Sequence, residues 1–549
     1  MASGRKLFVN LRADPKLIVL SLMILAMAVI MLLALGPRGP EHGLLFRICR
    51  WIIPPYAMIR QSAKIFCLMP SFLAVASAIT LMALVQLRAG RAWAVLIPAI
   101  FAGLILWDYA PQSNPTISLL EKKQGAYAAV AANAAGAADA VGTAHAAAGQ
   151  TIPRALVLPL WPGDSHYASI YQYFASIYRV RMVNGYNPFI KQGYFENVFR
   201  RFESVNQGGL YEDQVAGLLN MNVRYIILHE NLFPEKVSPF PVTATLRQLL
   251  CHPRLELLCQ DGSVWAFKIL DLSRAKSAPM PDWDILIPAR RFEMEKTIAE
   301  RQVTVKISPT AGGRAFVALE VTNANLRTAP IRVASVPNLH WLVRVRGQGI
   351  LGGELITGER MTALAPLKVQ AQEWTWLNLP VPAFQGFAVL SLKLVLQAGA
   401  VDLDLSLLTA GGPWQWLNPG ESVTLPAPIF FHAGYTDLES GGVVFRRDYD
   451  PQGFVLYGPK LPLPRGTYEI NIAFTSPAAP GIELGVINLE QNEATVEGVG
   501  AARPISAIFA GQPASVRWRQ YENLPFNLAL HYNAAADLEI QRITIKRLK

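Results

Sequence analysis

Residues 17–35 read LIVLSLMILAMAVIMLLAL, a run without a single charge. At 1.5 Å per residue a helix of this length matches the roughly 30 Å hydrocarbon core of a bilayer, so the run predicts a membrane span. A second run at 65–87 is interrupted only by Pro70 and uncharged polar residues. A third at 92–109 contains Pro98 and sets Trp93 and Trp107 near its ends, where indole rings favour the headgroup level. Three spans thus define a membrane segment over 1–110.

Lys and Arg set its orientation. Arg5, Lys6, Arg12 and Lys16 precede the first span, and Arg88 and Arg91 lie between the second and third. The bias of Lys and Arg toward cytoplasmic loops puts both groups inside and the C-terminal bulk outside. In a Gram-negative cell this is an inner-membrane protein with a cytoplasmic N-terminus and periplasmic C-terminal domains. Arg38, Arg47, Arg50, Arg60 and Lys64 in the connector would then face outward. There Leu44, Leu45, Ile48, Trp51 and Ile52 recur at helical spacing while Arg47 and Arg50 share another face. The pattern predicts an interfacial helix at 43–53, with Arg47, Arg50, Arg60 and Lys64 the candidates for lipid phosphate.

The length of 549 residues exceeds one core, and 52% hydrophobic against 16% charged residues lies above ordinary soluble composition. The net charge of +11 sits largely beside the N-terminal apolar runs, and no basic, aromatic-interleaved stripe marks a nucleic-acid partner. Cys49, Cys67, Cys251 and Cys259 make no CxxC metal site, and no motif implies a metal or another cofactor. Cys251 and Cys259, both on the exported side by this topology, bracket a Pro-containing turn and predict a helix-to-strand disulfide.

Beyond the membrane segment, 111–151 reads as a linker, its Ala-rich part a frayed helix or tether without amphipathic period. From Ile152 the pattern is mixed: RALVLPL a buried strand, SHYASIYQYFASIY a helix, VRYIILH a strand, VTATLRQLLCH a helix, and LELLCQDGSVWAFKIL two strands around Asp261-Gly262. This predicts a small α/β exported domain at 152–272. Short alternating strands broken by Gly, Pro and Asn then predict two antiparallel β-sandwich domains, 285–418 and 425–549.

The motifs PPYAMIRQSAKIF, LPLWPGDSHYASIYQYF, VNGYNPF and VRYIILH resemble the C-terminal part of polytopic glycosyltransferases of the GT-C superfold, over roughly Pro54 to Leu270. ALEVTNAN, LHW, GER and VPAFQGFAVLSLKLVLQ are similar to immunoglobulin-like domains of bacterial polysaccharide assembly. GFVLYGPKLPLPRGTYEINIAF resembles jelly-roll, carbohydrate-module-like domains. The GT-C resemblance implies a catalytic Asp or Glu in a first exported loop and many more spans. That portion has no counterpart here, and the only acid of the connector is Glu41, beside His42.

Candidate sites follow. Trp161, Asp164, His166 and Tyr167, with Tyr171 and Tyr173, concentrate ring faces and hydrogen-bonding groups between a strand and a helix, which suits sugar binding as well as core packing. Asn184-Gly185-Tyr186 reads as a turn with positive φ at Gly185, and the resemblance would bring Tyr186 to a lipid-linked sugar. Trp341, Trp374, Trp376, Trp414 and Trp416 suit a glycan platform, although Trp374 and Trp376, two apart on a strand, suit a core face better. The leading expectation is a membrane-anchored exported module of envelope polysaccharide or glycolipid assembly, a truncated or split GT-C relative. It would bind glycan or a partner membrane subunit carrying the missing N-terminal spans. The alternatives are an active glycosyltransferase using a polyprenyl-phosphate sugar, with Glu41 or Asp108 as base, and a purely structural assembly protein.

Overall fold

A computed structural model describes residues 15–53, 62–87, 91–108, 122–140, 152–163, 165–185, 191–233, 237–238, 240–273, 287–293, 297–307, 315–334, 339–384, 387–410, 417–490 and 503–549. The chain forms two compact units, Met1–Pro115 and Thr116–Lys549.

The first unit holds helices α1 (Pro15–Ala34), α2 (Pro40–Ile52), α3 (Met69–Leu87) and α4 (Arg91–Asp108). Three of these coincide with the expected spans. Among the described residues, however, no helix is long and apolar enough to cross a membrane. The three-span segment therefore lacks support from the fold. The stretch expected to lie in the interface plane is helical, as the regular part of α2, and is entered through three left-handed residues, Glu41, His42 and Gly43. Phe46 packs on Leu33, and Ser62 Oγ donates to Ala34 O at 3.0 Å.

The second unit opens with α5 (Gly125–Ala140), where the sequence suggested a tether. Ala126, Tyr127 and Val130 are fully buried, and Asp261 Oδ2 accepts the Gly125 amide at 2.5 Å at the helix start. Small alanines let the helix lie close to the sheet around one aromatic anchor, a contact that hydrophobic periodicity does not register.

The α/β sheet has the order β2-β1-β3-β5-β4, formed by β1 (Arg154–Leu158), β2 (Arg181–Met182), β3 (Tyr225–His229), β4 (Leu255–Asp261) and β5 (Val264–Ile269). The first three are parallel, and the last two form a hairpin turning at Gly262, φ 55°. Both faces are covered, which explains the unbroken apolar runs. Ala155, Val157, Tyr225 and Ile227 face α5 and α6 (Ala168–Tyr178). Leu156, Leu158, Ile226 and Leu228 face α7 (Glu212–Asn220) and α8 (Val242–Leu250). Cys251 and Cys259 are not joined to each other, so the expected disulfide is not formed. Cys251 ends α8, whereas Cys259 lies four residues along β4 from Leu255, an extended run of about 13 Å.

Next come β6 (Ile287–Glu293), β7 (Thr297–Arg301), β8 (Thr304–Ile307), β9 (Ala315–Leu319), β10 (Asn325–Thr328) and β11 (Ile331–Ala334). Three long strands follow: β12 (His340–Thr357), β13 (Arg360–Pro380) and β14 (Phe387–Ala410). Hydrogen bonds join all nine into one antiparallel sheet with a main core and two smaller clusters, where the sequence suggested an immunoglobulin-like pair of sheets with short strands. The glycines expected to break strands instead let two backbones touch. A Cβ at Gly347 would collide with Ala400 O, and one at Gly399 with Gln348 O. Register shifts beside them bend the pair without ending it.

The last domain is a two-sheet antiparallel sandwich. Its strands are β15 (Ser422–Pro426), β16 (Phe431–His432), β17 (Tyr435–Thr436), β18 (Val443–Phe445), β19 (Gly453–Leu463) and β20 (Gly466–Thr475). They continue with β21 (Glu483–Glu490), β22 (Arg503–Phe509), β23 (Ala514–Gln520), β24 (Leu524–Tyr532) and β25 (Leu538–Arg547). One sheet runs β17-β18-β25-β20-β23 with β15 on β25, and the other runs β16-β19-β24-β21-β22. Alternate residues Tyr468, Ile470 and Ile472 meet Phe526, Leu528, Leu530 and Tyr532 between them.

Candidate functional site

In the α/β sheet, β1 is flanked by β2 on one side and β3 on the other, so the chain leaving β1 and the chain leaving β3 part to opposite sides at their carboxyl ends. Such a switch point opens a crevice where open α/β sheets take ligands. The sequence places Trp161, His166, Tyr167 and Tyr171 after β1, and His229 and Glu230 at the end of β3.

The loop after β1 is pinned by two asparagines. Asn184 accepts the Val157 amide at 2.9 Å and donates to Val157 O at 2.7 Å, extending the ladder where the two-residue β2 ends. Asn206 treats Leu160 in the same way, at 2.6 and 2.9 Å. Gly185 is not in the left-handed region, so Asn184 acts through its amide and not through the expected turn. Tyr194 Oη donates to Trp161 O at 2.8 Å.

On this frame the rings of Trp161 and Tyr167 stack at 6.0 Å and 24°, and His166 lies 4.4 Å from Tyr167. Tyr167 is 40% exposed and Trp161 half-buried. The structure thus brings together three of the predicted residues, Trp161, His166 and Tyr167. Asp164 and Tyr186 lie outside the described residues. Tyr171 is buried, its hydroxyl donating to Pro159 O at 3.1 Å, so it supports the loop from below.

Beneath lies a buried layer. His229 contacts the rings of Tyr171, Phe174 and Tyr127, and its Nε2 is hydrogen-bonded to Tyr127 Oη at 2.9 Å. Burial pushes His229 down to about 3 and raises the Tyr127 phenol, so both are neutral near pH 7. Glu230 accepts from Trp265 Nε1 at 2.9 Å and from the Thr436 amide and hydroxyl at 2.9 and 2.5 Å. His432 Nε2 lies 3.3 Å from Glu230 Oε1 without a hydrogen bond aligned between them. Burial raises Glu230 to about 7 and lowers His432 to about 4. With both carboxyl oxygens occupied, Glu230 braces the α/β sheet against β16 and β17.

Elsewhere, Glu41 is exposed and its carbonyl accepts from Arg47 at 3.0 Å, while Asp108 has no described side chain. Arg47, Arg50 and Lys64 are exposed, and Arg60 lies outside the described residues. Trp341, Trp374 and Trp376 are buried, which removes them from a glycan platform. Trp376 packs on Leu342, Leu405, Leu407 and Leu524, and Trp374 packs on Phe316. Trp414 and Trp416 lie outside the described residues. Among the described residues no three His, Cys, Asp or Glu side chains are grouped to hold a metal.

The sequence reading missed a cavity of about 530 Å³ at the end of the last sandwich, lined by Arg465, Arg519, Tyr521, Arg547 and Lys549 together with Glu373 of β13. Its cations come from three separate stretches, so no local motif could have revealed it.

No protein-family model and no curated protein matches this chain. Solved structures are similar over parts of it. The C-terminal CBM6 of LamC, a marine laminarinase from Zobellia galactanivorans, is 21% identical, covers 22% of this chain and 98% of its own, and has a TM-score of 0.19. The carbohydrate binding module from Cellvibrio mixtus lichenase 5A, solved with cellotriose, is 16% identical over 23% of this chain and 100% of its own, with a TM-score of 0.19. The N-terminal CBM22-1-CBM22-2 tandem domain of Paenibacillus barcinonensis Xyn10C is 11% identical over 50% of this chain and 100% of its own, also at 0.19.

Proposed function

We propose that the protein is a membrane-attached, exported glycan-binding module of envelope polysaccharide or glycolipid assembly, which takes saccharide at the carboxyl edge of β1 and β3. The observation that carries the reading is the Trp161–Tyr167 stack, held on a pinned backbone and exposed at the switch point. Ring faces of this kind pack against the C–H patches of sugars, with His166 beside them to bond hydroxyls. Membrane attachment is supported by α1, whose Ile18, Leu22, Ile24, Leu25 and Met31 are exposed on several sides of an apolar helix. In α2, Leu44, Ile48 and Trp51 suit an interface plane, with Arg47 and Arg50 toward lipid phosphates. The relation to GT-C transferases and a partner subunit carrying further spans belong to the same proposal.

Detergent-purified full-length protein is titrated with cellobiose, lactose and chitobiose and followed by tryptophan fluorescence. Binding of at least one disaccharide is expected, weakened about tenfold by Trp161→Ala and by Tyr167→Ala; affinities unchanged in both variants would refute the site. The chain is expected to float with phospholipid vesicles, and recovery in the soluble fraction would refute attachment.

A further inference from the structure

The cavity at the end of the last sandwich lies where three segments meet: the β19–β20 connection, the β23–β24 connection, and the end of β25. Four cationic side chains line it, Arg465, Arg519, Arg547 and Lys549, against one acidic side chain, Glu373. None of the four forms an ion pair among the described residues, although ion pairs are made elsewhere in the same unit. Arg547 is held in place without being neutralised. Its terminal nitrogens donate to Leu417 O and Arg465 O, both at 2.7 Å, and its Nε is buried without a partner. Four cations against one carboxylate leave an excess of positive charge, which raises a local positive potential suited to an anion.

The wall is rigid. Asn523 accepts the Arg465 amide at 2.7 Å and donates to Trp374 O at 2.7 Å. Its carbonyl accepts from Arg344 at 2.8 Å and from Trp376 Nε1 at 3.0 Å. The turn bearing Tyr521 is thereby fastened to the nine-stranded sheet. Tyr521 is 58% exposed, and the Arg519 guanidinium sits 5.2 Å from its ring centre. An exposed aromatic face beside unpaired guanidinium groups matches a ligand with both a ring face and a negative charge.

We propose that this cavity binds an anionic saccharide, its carboxylate or phosphate held by Arg465, Arg519, Arg547 and Lys549 and its ring laid on Tyr521. The site is separate from the Trp161–Tyr167 stack and does not depend on it.

Full-length protein in detergent is titrated by calorimetry with a glucuronic-acid disaccharide, glucose 1-phosphate, cellobiose and inorganic phosphate. At least one charged saccharide is expected to bind tenfold or more tightly than both cellobiose and inorganic phosphate, and to weaken as salt rises. Arg465 and Arg519 are exposed, so Arg465→Glu with Arg519→Glu is expected to keep the melting temperature while lowering that affinity tenfold or more. Tyr521→Ala weakens the saccharide and spares phosphate, and Tyr167→Ala leaves the charged saccharide unaffected. Equal binding of cellobiose, inorganic phosphate as tight as the sugars, no binding of either charged sugar, or an unchanged affinity in the charge-reversed variant each overturns the proposal.

Discussion

Two buried polar junctions fasten the last sandwich to the rest of its unit, and they are built in opposite ways. Against the nine-stranded sheet, Arg344 is fully buried and hydrogen-bonded twice to Asp404, once at 2.8 Å, with Trp374 stacked 5.1 Å away. Against the α/β sheet, Glu230 and His432 meet equally buried, but Glu230 is raised to about 7 and His432 lowered to about 4. A guanidinium cannot shed its proton, so its burial demands a carboxylate partner and full hydrogen bonding. A carboxyl and an imidazole escape the same desolvation by becoming neutral. One junction is an ion pair, and the other, held by groups whose burial favours their neutral forms, is soft to pH.

The comparison breaks most easily at Asp404. Asp404→Ala leaves Arg344 buried with its main partner gone, and the expected loss is about 3–5 kcal/mol, read as a lower urea midpoint. A loss under about 1 kcal/mol would mean that water reaches the guanidinium.

Next is the pH dependence of the neutral junction, measured as wild type against Glu230→Gln. The folded pKa of Glu230 is raised from 4.5 to about 7, so its proton-linked stability is complete below pH 4.5 and lost as pH rises through about 7. The change is roughly 3 kcal/mol. His432 has the opposite sign: lowered from 6.5 to about 4, it contributes fully above pH 6.5 and loses that contribution as pH falls through about 4. A stability difference flat from pH 4 to 8 would contradict the soft junction.

The smallest effect is at a third link, Arg332 to Glu203 at 2.8 Å, between the nine-stranded sheet and the α/β domain. Arg332 is half exposed, so Arg332→Ala is expected to cost less than about 1 kcal/mol and to matter less in high salt. A loss matching that of Asp404→Ala would remove the distinction between buried and rim charge.

Legibility in the sequence divides along the same line. Strands β1, β3, β4 and β5 and helices α6 and α8 were readable, because a buried strand must be a continuous apolar run and a covering helix must repeat every three to four residues, whereas the two-residue β2 and the short α7 were not among the elements expected. Trp161, His166 and Tyr167 could be singled out because they sit between two readable elements. The packed α5 could not, since alanine gives no periodic contrast and its anchors, Tyr127 on His229 and the Gly125 amide on Asp261, reach across 102 and 136 positions. Gly347 and Gly399 signal strand breaks locally yet mark where long strands touch.

The sequence by itself determined the apolar N-terminal runs, the α/β pattern and the β-rich C-terminal half, because burial periodicity is a local property of the chain. Only the tertiary structure decided the partners of charged groups. Arg344 and Asp404 lie 60 residues apart, Glu230 and Thr436 206, and the cations around Tyr521 come from three separate stretches, while a charge's energy depends on what surrounds it in space.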